Sequence, residues 1–385
     1  MTLHSTSLRK PPLLDERAKV WLERFRNSPL LVFWETTKAC PLACRHCRAM
    51  AIPKPLPGEL STEEGFKLIE DVSSFGDPKP LIVLTGGDPL QRRDLFELIS
   101  KANKLGVPTA VSPAVSHHLT PDVMRSLKEH GVRMISVSLD GAGPESHDFM
   151  RQVAGSFEST VKAIRDAVEI GLRVQVNTVV WRRNVHELPR IAALLKSLGA
   201  TVWEVFFLIV TGRAVAELDI KSCEYESVMK FLLEVSKRGL QVRTVEAPFF
   251  RRVKLGAWAP QDGETLDLYR TLLRELEDLM GPANEELDNL FIPTRDGNGV
   301  IFVAYNGDVY PSGFLPLPLG NVRKTSLVEI YRSNPLLVAM REGELKGRCG
   351  LCEYRLICGG SRARAFAATG DPLESDPACV YDPSR

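Results

Sequence analysis

The feature that most restricts the fold is a repeated alternation, from residue 31 to about residue 210, of short β-branched runs with amphipathic helical stretches. The candidate strands are LLVFWET (31–37), PLIVLTGG (80–87), GVPTAVS (106–112), RMISVSLDG (133–141), LRVQVNTVV (172–180) and TVWEVFFLIV (201–210). Between them, STEEGFKLIEDVSSFG carries Ser61 as N-cap, Glu64 at the capping-box position and Gly76 as a stop. SFESTVKAIRDAVEIG repeats that form and stops at Gly171. Six strand–helix units with nearly continuous apolar strands predict a parallel sheet buried on both faces. Six units rather than eight predict an α/β fold, an open partial (β/α)6 TIM-like barrel.

In such folds the working residues sit in the loops after the carboxyl ends of the strands. A loop with three cysteines follows the first strand, GGDP ends the second, SPAVS the third and SLDG the fourth. Four polar or metal-binding segments are therefore expected at one mouth. Residues 216–290 read as a helical linker region without a chemical signature. From 291 to 385 the pattern turns to short strands and turns, with a hairpin turning at Asn306-Gly307, and ends in four cysteines. Residues 1–30 form an N-terminal extension and 31–215 the core. With 49 basic and 48 acidic residues there is no bulk field to attract nucleic acid. The N-terminal stretch lacks the apolar segment of a signal peptide, and no run is long enough to cross a bilayer, so a cytoplasmic protein without a membrane partner is expected.

The eight cysteines fall as Cys40, Cys44 and Cys47, a lone Cys223, and Cys349, Cys352, Cys358 and Cys379. This is metal-ligand clustering, not a scattered disulfide framework. Three thiolates in one loop can hold three irons of a [4Fe-4S] cluster and leave the fourth open to an exogenous ligand. A zinc site wants a closed tetrahedral set, and His46, wedged between Cys44 and Cys47, is an awkward fourth ligand. Four thiolates at the C-terminus can close either a cluster or a zinc. Cys223 reads as a small, at least partly buried residue. His117, His118, Arg182, Arg183 and the run Arg251, Arg252, Lys254 read first as solvated, although cations near the mouth can receive substrate carboxylates.

The spacing of Cys40, Cys44 and Cys47, with His46 before the last, resembles the signature of the radical S-adenosylmethionine enzymes. Gly86, Gly87, Asp88 and Pro89 look like that family's Gly-Gly-Glu-Pro segment, where strand-edge backbone receives the methionine amino group; Asp shortens the carboxylate's reach. Ser138 and Asp140 resemble the strand-four segment near the ribose, and Arg151 and Asn177 match further cofactor-side positions. The resemblance implies S-adenosylmethionine on a [4Fe-4S] cluster held by three cysteines, its reductive cleavage to a 5'-deoxyadenosyl radical, and hydrogen abstraction from a substrate. An outside donor such as reduced ferredoxin or flavodoxin would supply the electron. The C-terminal cysteines resemble the auxiliary-cluster module called SPASM. Ser312 and Arg362 stand where its further cysteines would be, which implies one auxiliary [4Fe-4S] cluster with four cysteine ligands. No catalytic acid or base is identified.

The tail from Cys358 to Cys379, with GDVYPSGFLPLPLGNVR, looks most like members tied to alternative haem and haem d1 biosynthesis. That resemblance implies a tetrapyrrole substrate and oxidative decarboxylation of a propionate. A ribosomal peptide, matured by thioether or carbon–carbon crosslinking, is the alternative substrate, though about thirty residues before the first strand are too few for a peptide-binding domain. A non-enzymatic iron–sulfur or zinc scaffold would leave the open iron and the facing segments without a use.

Overall fold

A computed structural model describes residues 16–259, 263–284 and 292–383; the first half of the expected N-terminal extension lies outside the described residues. In chain order the elements are α1 (Glu16–Asn27), β1 (Leu31–Glu35), α2 (Thr62–Ser73), β2 (Leu81–Thr85), α3 (Leu95–Lys104), β3 (Thr109–Val111), α4 (Pro121–Glu129), β4 (Met134–Ser138), α5 (Pro144–Arg151), α6 (Ser156–Glu169), β5 (Arg173–Val180), α7 (Leu188–Ser197) and β6 (Val202–Phe207). They continue with α8 (Ser222–Ser236), β7 (Gln241–Val245), α9 (Phe250–Lys254), α10 (Gly263–Met280), β8 (Val300–Val303), β9 (Asp308–Tyr310), β10 (Gly320–Asn321), α11 (Leu327–Ser333), α12 (Pro335–Glu342), α13 (Gly347–Leu351) and α14 (Arg362–Thr369). Among the described residues no helix is long and apolar enough to cross a membrane.

All six expected strands are present and run parallel in sequence order from β1 to β6. Two more extend the parallel run: β7 pairs with β6, and β8 pairs with the free side of β1. The sheet stays open, ending at β7 and β10, which makes it the expected partial barrel with longer flanks. The connector 216–290 was expected to be helix and loop only, and β7 corrects that. QVRTV escapes an apolar search because β7 is an edge strand with Gln241 and Arg243 exposed. The hairpin is as expected: β8 and β9 are antiparallel, and Gly307 sits at φ +86° in their turn.

The expectation of a sheet buried on both faces holds for one face. Val32, Trp34, Ile82, Leu84, Ile135, Val137, Val174, Val176, Trp203 and Val205 belong to a continuous apolar core with the helices. Their period-two neighbours Phe33, Val83, Thr85, Ser136, Ser138, Gln175, Asn177, Glu204 and Phe206 line a central cavity of about 810 Å³. Polar residues inside otherwise apolar strands are thus the mark of the cavity face.

Segments far apart in sequence are tied together near the α2 N-terminus. Ser61 caps α2 and closes the expected capping box with Glu64. Glu64 also receives Arg323 through both oxygens, at 2.6 and 2.9 Å, and Arg323 donates to the carbonyls of Asn306 and Gly58. The hydrogen bonds from Arg323 pull the Glu64 carboxyl down to about 2. A carboxyl depressed by folding stabilises the fold fully above its unfolded value, and that contribution fades as pH falls through the folded value. Glu64→Gln keeps the cap but loses the charge, and is expected to cost about 1 kcal/mol or less at pH 7 because the pair is a third exposed. The gap to wild type should close as pH falls from the ordinary 4.5 towards about 2. Urea unfolding at a series of pH values checks this; a gap independent of pH contradicts it.

Candidate functional site

The loop after β1 is held by hydrogen bonds within itself and to the segments around Met150 and Arg213. Cys40 N donates to Ile52 O at 2.8 Å, Arg45 N to Met150 O at 2.9 Å, and Arg213 N to Cys47 O at 3.1 Å. The Arg213 side chain donates to Cys44 O and Ala51 O, each at 2.9 Å. Cys40 and Cys44 are buried and Cys47 half-buried, and all three line the central cavity. Burial pushes the Cys40 thiol up to about 12, with the charges of Asp88, Cys44 and Cys47 adding to it. A thiol held up in this way becomes a thiolate only beside strong positive charge, which a bound iron cluster would supply.

Facing them is the end of β2. Gly86 holds φ +151°, and a Cβ there would lie 2.4 Å from Thr37 O; a Cβ on Gly87 would lie 2.3 Å from Ala39 O. Backbone therefore packs on backbone, with Gly87 N donating to Thr37 O and Asp88 N to Ala39 O at 2.8 and 2.7 Å. Both glycines line the cavity, while Asp88 and Pro89 stand behind it. The Asp88 carboxylate accepts from Ala114 N, Leu90 N and the Ser116 hydroxyl, which ties the loop after β3 to the end of β2.

The end of β4 supplies Ser138 and Asp140, both on the cavity wall. Asp140 Oδ1 accepts from Val179 N at 2.8 Å, Oδ2 lies 2.5 Å from Arg151 Nη2, and His46 Nε2 is 3.9 Å away. Burial works to raise the Asp140 carboxyl, yet Arg151, with His46 and His147, holds it below its usual value. Burial pushes His46 down to about 4, which keeps its ring neutral. Arg151 also reaches Cys44 Sγ at 3.6 Å, so one guanidinium bridges the cysteine loop and β4. Asn177 lines the cavity and accepts from Gln175, which also donates to Glu204. His46 Nδ1, Arg151 Nε and Arg213 Nη2 are buried on this wall without a hydrogen-bond partner. A polar ligand in the cavity fits them.

The C-terminal cysteines form a second site. Cys349, Cys352, Cys358 and Cys379 line one small pocket of about 20 Å³ with Arg252, Gly360 and Tyr381. Burial pushes Cys352, Cys358 and Cys379 each up to about 12, with neighbouring thiols adding. Among the described residues no three His, Cys, Asp or Glu side chains converge as ligands of a single ion. Four thiols around one pocket supply the ligand set of a closed four-cysteine centre. Arg362 is buried beside them, donating to Cys349 Sγ at 3.6 Å, and Ser312 lines the central cavity. Gly360 lines both chambers. It sits at φ +67°, and a Cβ would come 2.7 Å from Asp376 Cβ and 3.2 Å from Cys349 Sγ.

A chain 36% identical to this one over 92% of its length and 93% of the relative's is the AdoMet-dependent heme synthase of Nitratidesulfovibrio vulgaris. Residues 34–195 match the Radical SAM superfamily. This chain belongs to that superfamily. Residues 295–353 match the SPASM iron-sulfur cluster-binding domain. The pre-heme d1 synthase of Dinoroseobacter shibae is 28% identical over 91% of this chain and 85% of its own. In fold, the radical SAM chain is similar to Streptococcus suis SuiB bound to S-adenosylmethionine, with a TM-score of 0.68 at 14% identity, covering 95% of this chain and 81% of that one. The protein is a radical SAM enzyme whose cofactors are [4Fe-4S] clusters and S-adenosylmethionine.

Some site residues escape sequence reasoning. Arg213, Glu246, Asp296 and Ser361 all line the cavity. Glu246 follows β7 with φ +59° and accepts from the Ser361 hydroxyl; burial and the charge of Asp296 hold its carboxyl well above the usual range. Asp296 accepts from the backbone of Arg362 and Ala363 at 3.0 Å. No motif marks these residues, because each gains its place through contacts far apart in sequence. The basic run 251–254 is a correction: Arg251 and Arg252 are buried. Arg251 donates to the carbonyls of Ile357 and Thr294, and Arg252 pairs with Glu226. His117 is exposed as expected, and Arg182 and Arg183 are exposed as well.

Gly87→Ala is expected to push β2 off the cysteine loop and to weaken S-adenosylmethionine binding by about tenfold or more. Equilibrium dialysis with the reconstituted protein measures this; unchanged affinity contradicts the backbone cradle.

Proposed function

We propose that this enzyme acts on an iron tetrapyrrole and removes a propionate carboxyl as carbon dioxide, leaving a vinyl group. The observation that carries the reading is the one cavity of about 810 Å³ that reaches from the three-cysteine loop to Gly360 at the second site. Its walls combine Phe33, Phe206, Phe250, Phe302 and Phe314 with Arg48, Arg243, Arg251, Lys254 and Arg295. Flat aromatic walls beside cations suit a flat macrocycle bearing carboxylates. The names AdoMet-dependent heme synthase and pre-heme d1 synthase among the relatives support the same class.

In this reading Cys40, Cys44 and Cys47 hold the cluster that binds S-adenosylmethionine, and Cys349, Cys352, Cys358 and Cys379 hold the auxiliary cluster. When bound, these groups supply a hydrogen-abstracting 5'-deoxyadenosyl radical and a nearby site for one electron. Gly86 and Gly87 offer strand-edge backbone to the methionine amino group. His46, Ser138, Asp140, Arg151 and Asn177 form the polar wall that orients the rest of the cofactor, with Asp88 and Pro89 bracing the glycines from behind. Arg251 and Arg295 donate to main-chain carbonyls and bring positive charge up to the cavity wall. The substrate loses one hydrogen atom from the carbon next to the ring, then carbon dioxide and one electron. Reduced ferredoxin or flavodoxin in the cytoplasm supplies the electron that starts each turnover.

A peptide substrate is the second reading, favoured by a 29% identical relative named mycofactocin maturase from Mycobacterium tuberculosis. The test is anaerobic incubation of reconstituted protein with dithionite, S-adenosylmethionine and iron-coproporphyrin. Deoxyadenosine together with porphyrin that has lost carbon dioxide is the expected result. Deoxyadenosine with no mass change on the porphyrin contradicts the decarboxylation.

A further inference from the structure

We propose that the outer rim of the cysteine loop is the docking surface for an acidic one-electron carrier protein, with Arg45 and Arg183 as its anion-receiving pair. The inference rests on the radical SAM reading above, which needs an electron from outside the chain.

The first observation is an arginine pair that shares one ring. The guanidinium carbons of Arg45 and Arg183 lie 4.2 and 4.3 Å from the centroid of Phe149. Phe149 is stacked on Trp181 at 5.5 Å, and Arg45 Nε donates to Phe149 O at 3.1 Å. Two like charges held against one ring repel each other, and ring attraction offsets that only in part. Both arginines are exposed, and neither has a carboxylate partner among the described residues. Arg182 adds a third exposed cation beside them. The pair is set for an anion that the described residues do not provide.

The second observation is apolar and independent. Of the eleven exposed large hydrophobic residues among the described residues, five lie on the cysteine loop or on the two segments that hydrogen-bond to it: Met50, Ile52, Val153, Val210 and Val215. Met50 is 53% exposed on the cysteine loop itself, at φ +47°. The segment of Val153 joins the loop through Arg45 N to Met150 O, and the segment of Val210 and Val215 joins it through Arg213. Apolar residues interleaved with unpaired cations describe a protein interface better than a seat for a small anion. Charge complementarity makes the occupant acidic.

The location supplies the purpose. Arg45 is bonded to Cys44, so a carrier seated on Arg45 stands one residue from a cluster thiolate. The carrier is oxidised by one electron and the three-cysteine cluster is reduced by one; no bond forms or breaks and no proton moves.

The experiment uses the reconstituted enzyme, a reduced ferredoxin of strong negative charge, and dithionite as a small reductant that needs no docking surface. Arg183→Glu and Met50→Asp are each expected to weaken ferredoxin binding, read by titration calorimetry, by about tenfold or more. Ferredoxin-driven deoxyadenosine formation should fall in parallel, with the dithionite-driven rate kept within about twofold. Asp tolerates the positive φ at position 50, so misfolding is not built into that variant. In the wild-type enzyme, salt that shortens the Debye length from about 10 to about 3 Å should weaken the binding. Unchanged ferredoxin binding in both variants overturns the proposal, as does an equal fall in the dithionite-driven rate. If dithionite drives no cleavage even in wild type, the radical SAM reading fails, and calorimetry still decides the docking surface.

Discussion

Everything at the mouth of this barrel depends on how closely two stretches of backbone approach. Gly86 and Gly87 lie against Thr37 and Ala39 so tightly that a single methyl on either would collide with a carbonyl oxygen. That contact sets the height of the cysteine loop above the strand ends. Arg213 then holds the loop through Cys44 and Ala51, and Arg151 holds it through Cys44 and Asp140. A cluster seated there is fixed relative to β2, β4 and β5 at once, which a radical reaction needs because the reacting atoms must be placed before the radical exists.

The C-terminal segment is part of the same machine through the sheet. β8 pairs with β1, so the strand that leads into the cysteine loop has the C-terminal hairpin as its direct neighbour. This pairing brings Ser312, Gly313 and Phe314 to the cavity wall, and Gly360 and Ser361, just before α14, line it too. The three-cysteine loop lines the central cavity, and the four C-terminal cysteines line a separate small pocket that shares Gly360 with it. Gly360 borders both the cavity and the four-cysteine pocket, and its left-handed backbone leaves no room for a side chain.

What was legible in the sequence is what local pattern can carry. The six core strands, the α2 capping box, the hairpin turn and the two cysteine groups each follow from residues near one another. Convergence at one mouth followed from a fold rule, and the placement of Gly86, Gly87, Ser138, Asp140 and the three cysteines on one cavity agrees with it. The rest depends on distant partners. β7 is polar because its edge faces open space, and Arg251 and Arg252 are buried because carbonyls and Glu226 from other segments receive them. Asp88 belongs to the matching segment, yet it turns away from the cavity to brace the loop after β3.

The central claim is that one cysteine site is open to S-adenosylmethionine and the other is closed. Electron paramagnetic resonance of the reduced, reconstituted enzyme with and without S-adenosylmethionine tests it directly, alongside the protein with Cys40, Cys44 and Cys47 all changed to Ala. The account predicts two cluster signals, of which S-adenosylmethionine shifts one, and a variant that keeps only the unresponsive signal. A variant whose remaining signal still shifts with S-adenosylmethionine would contradict it.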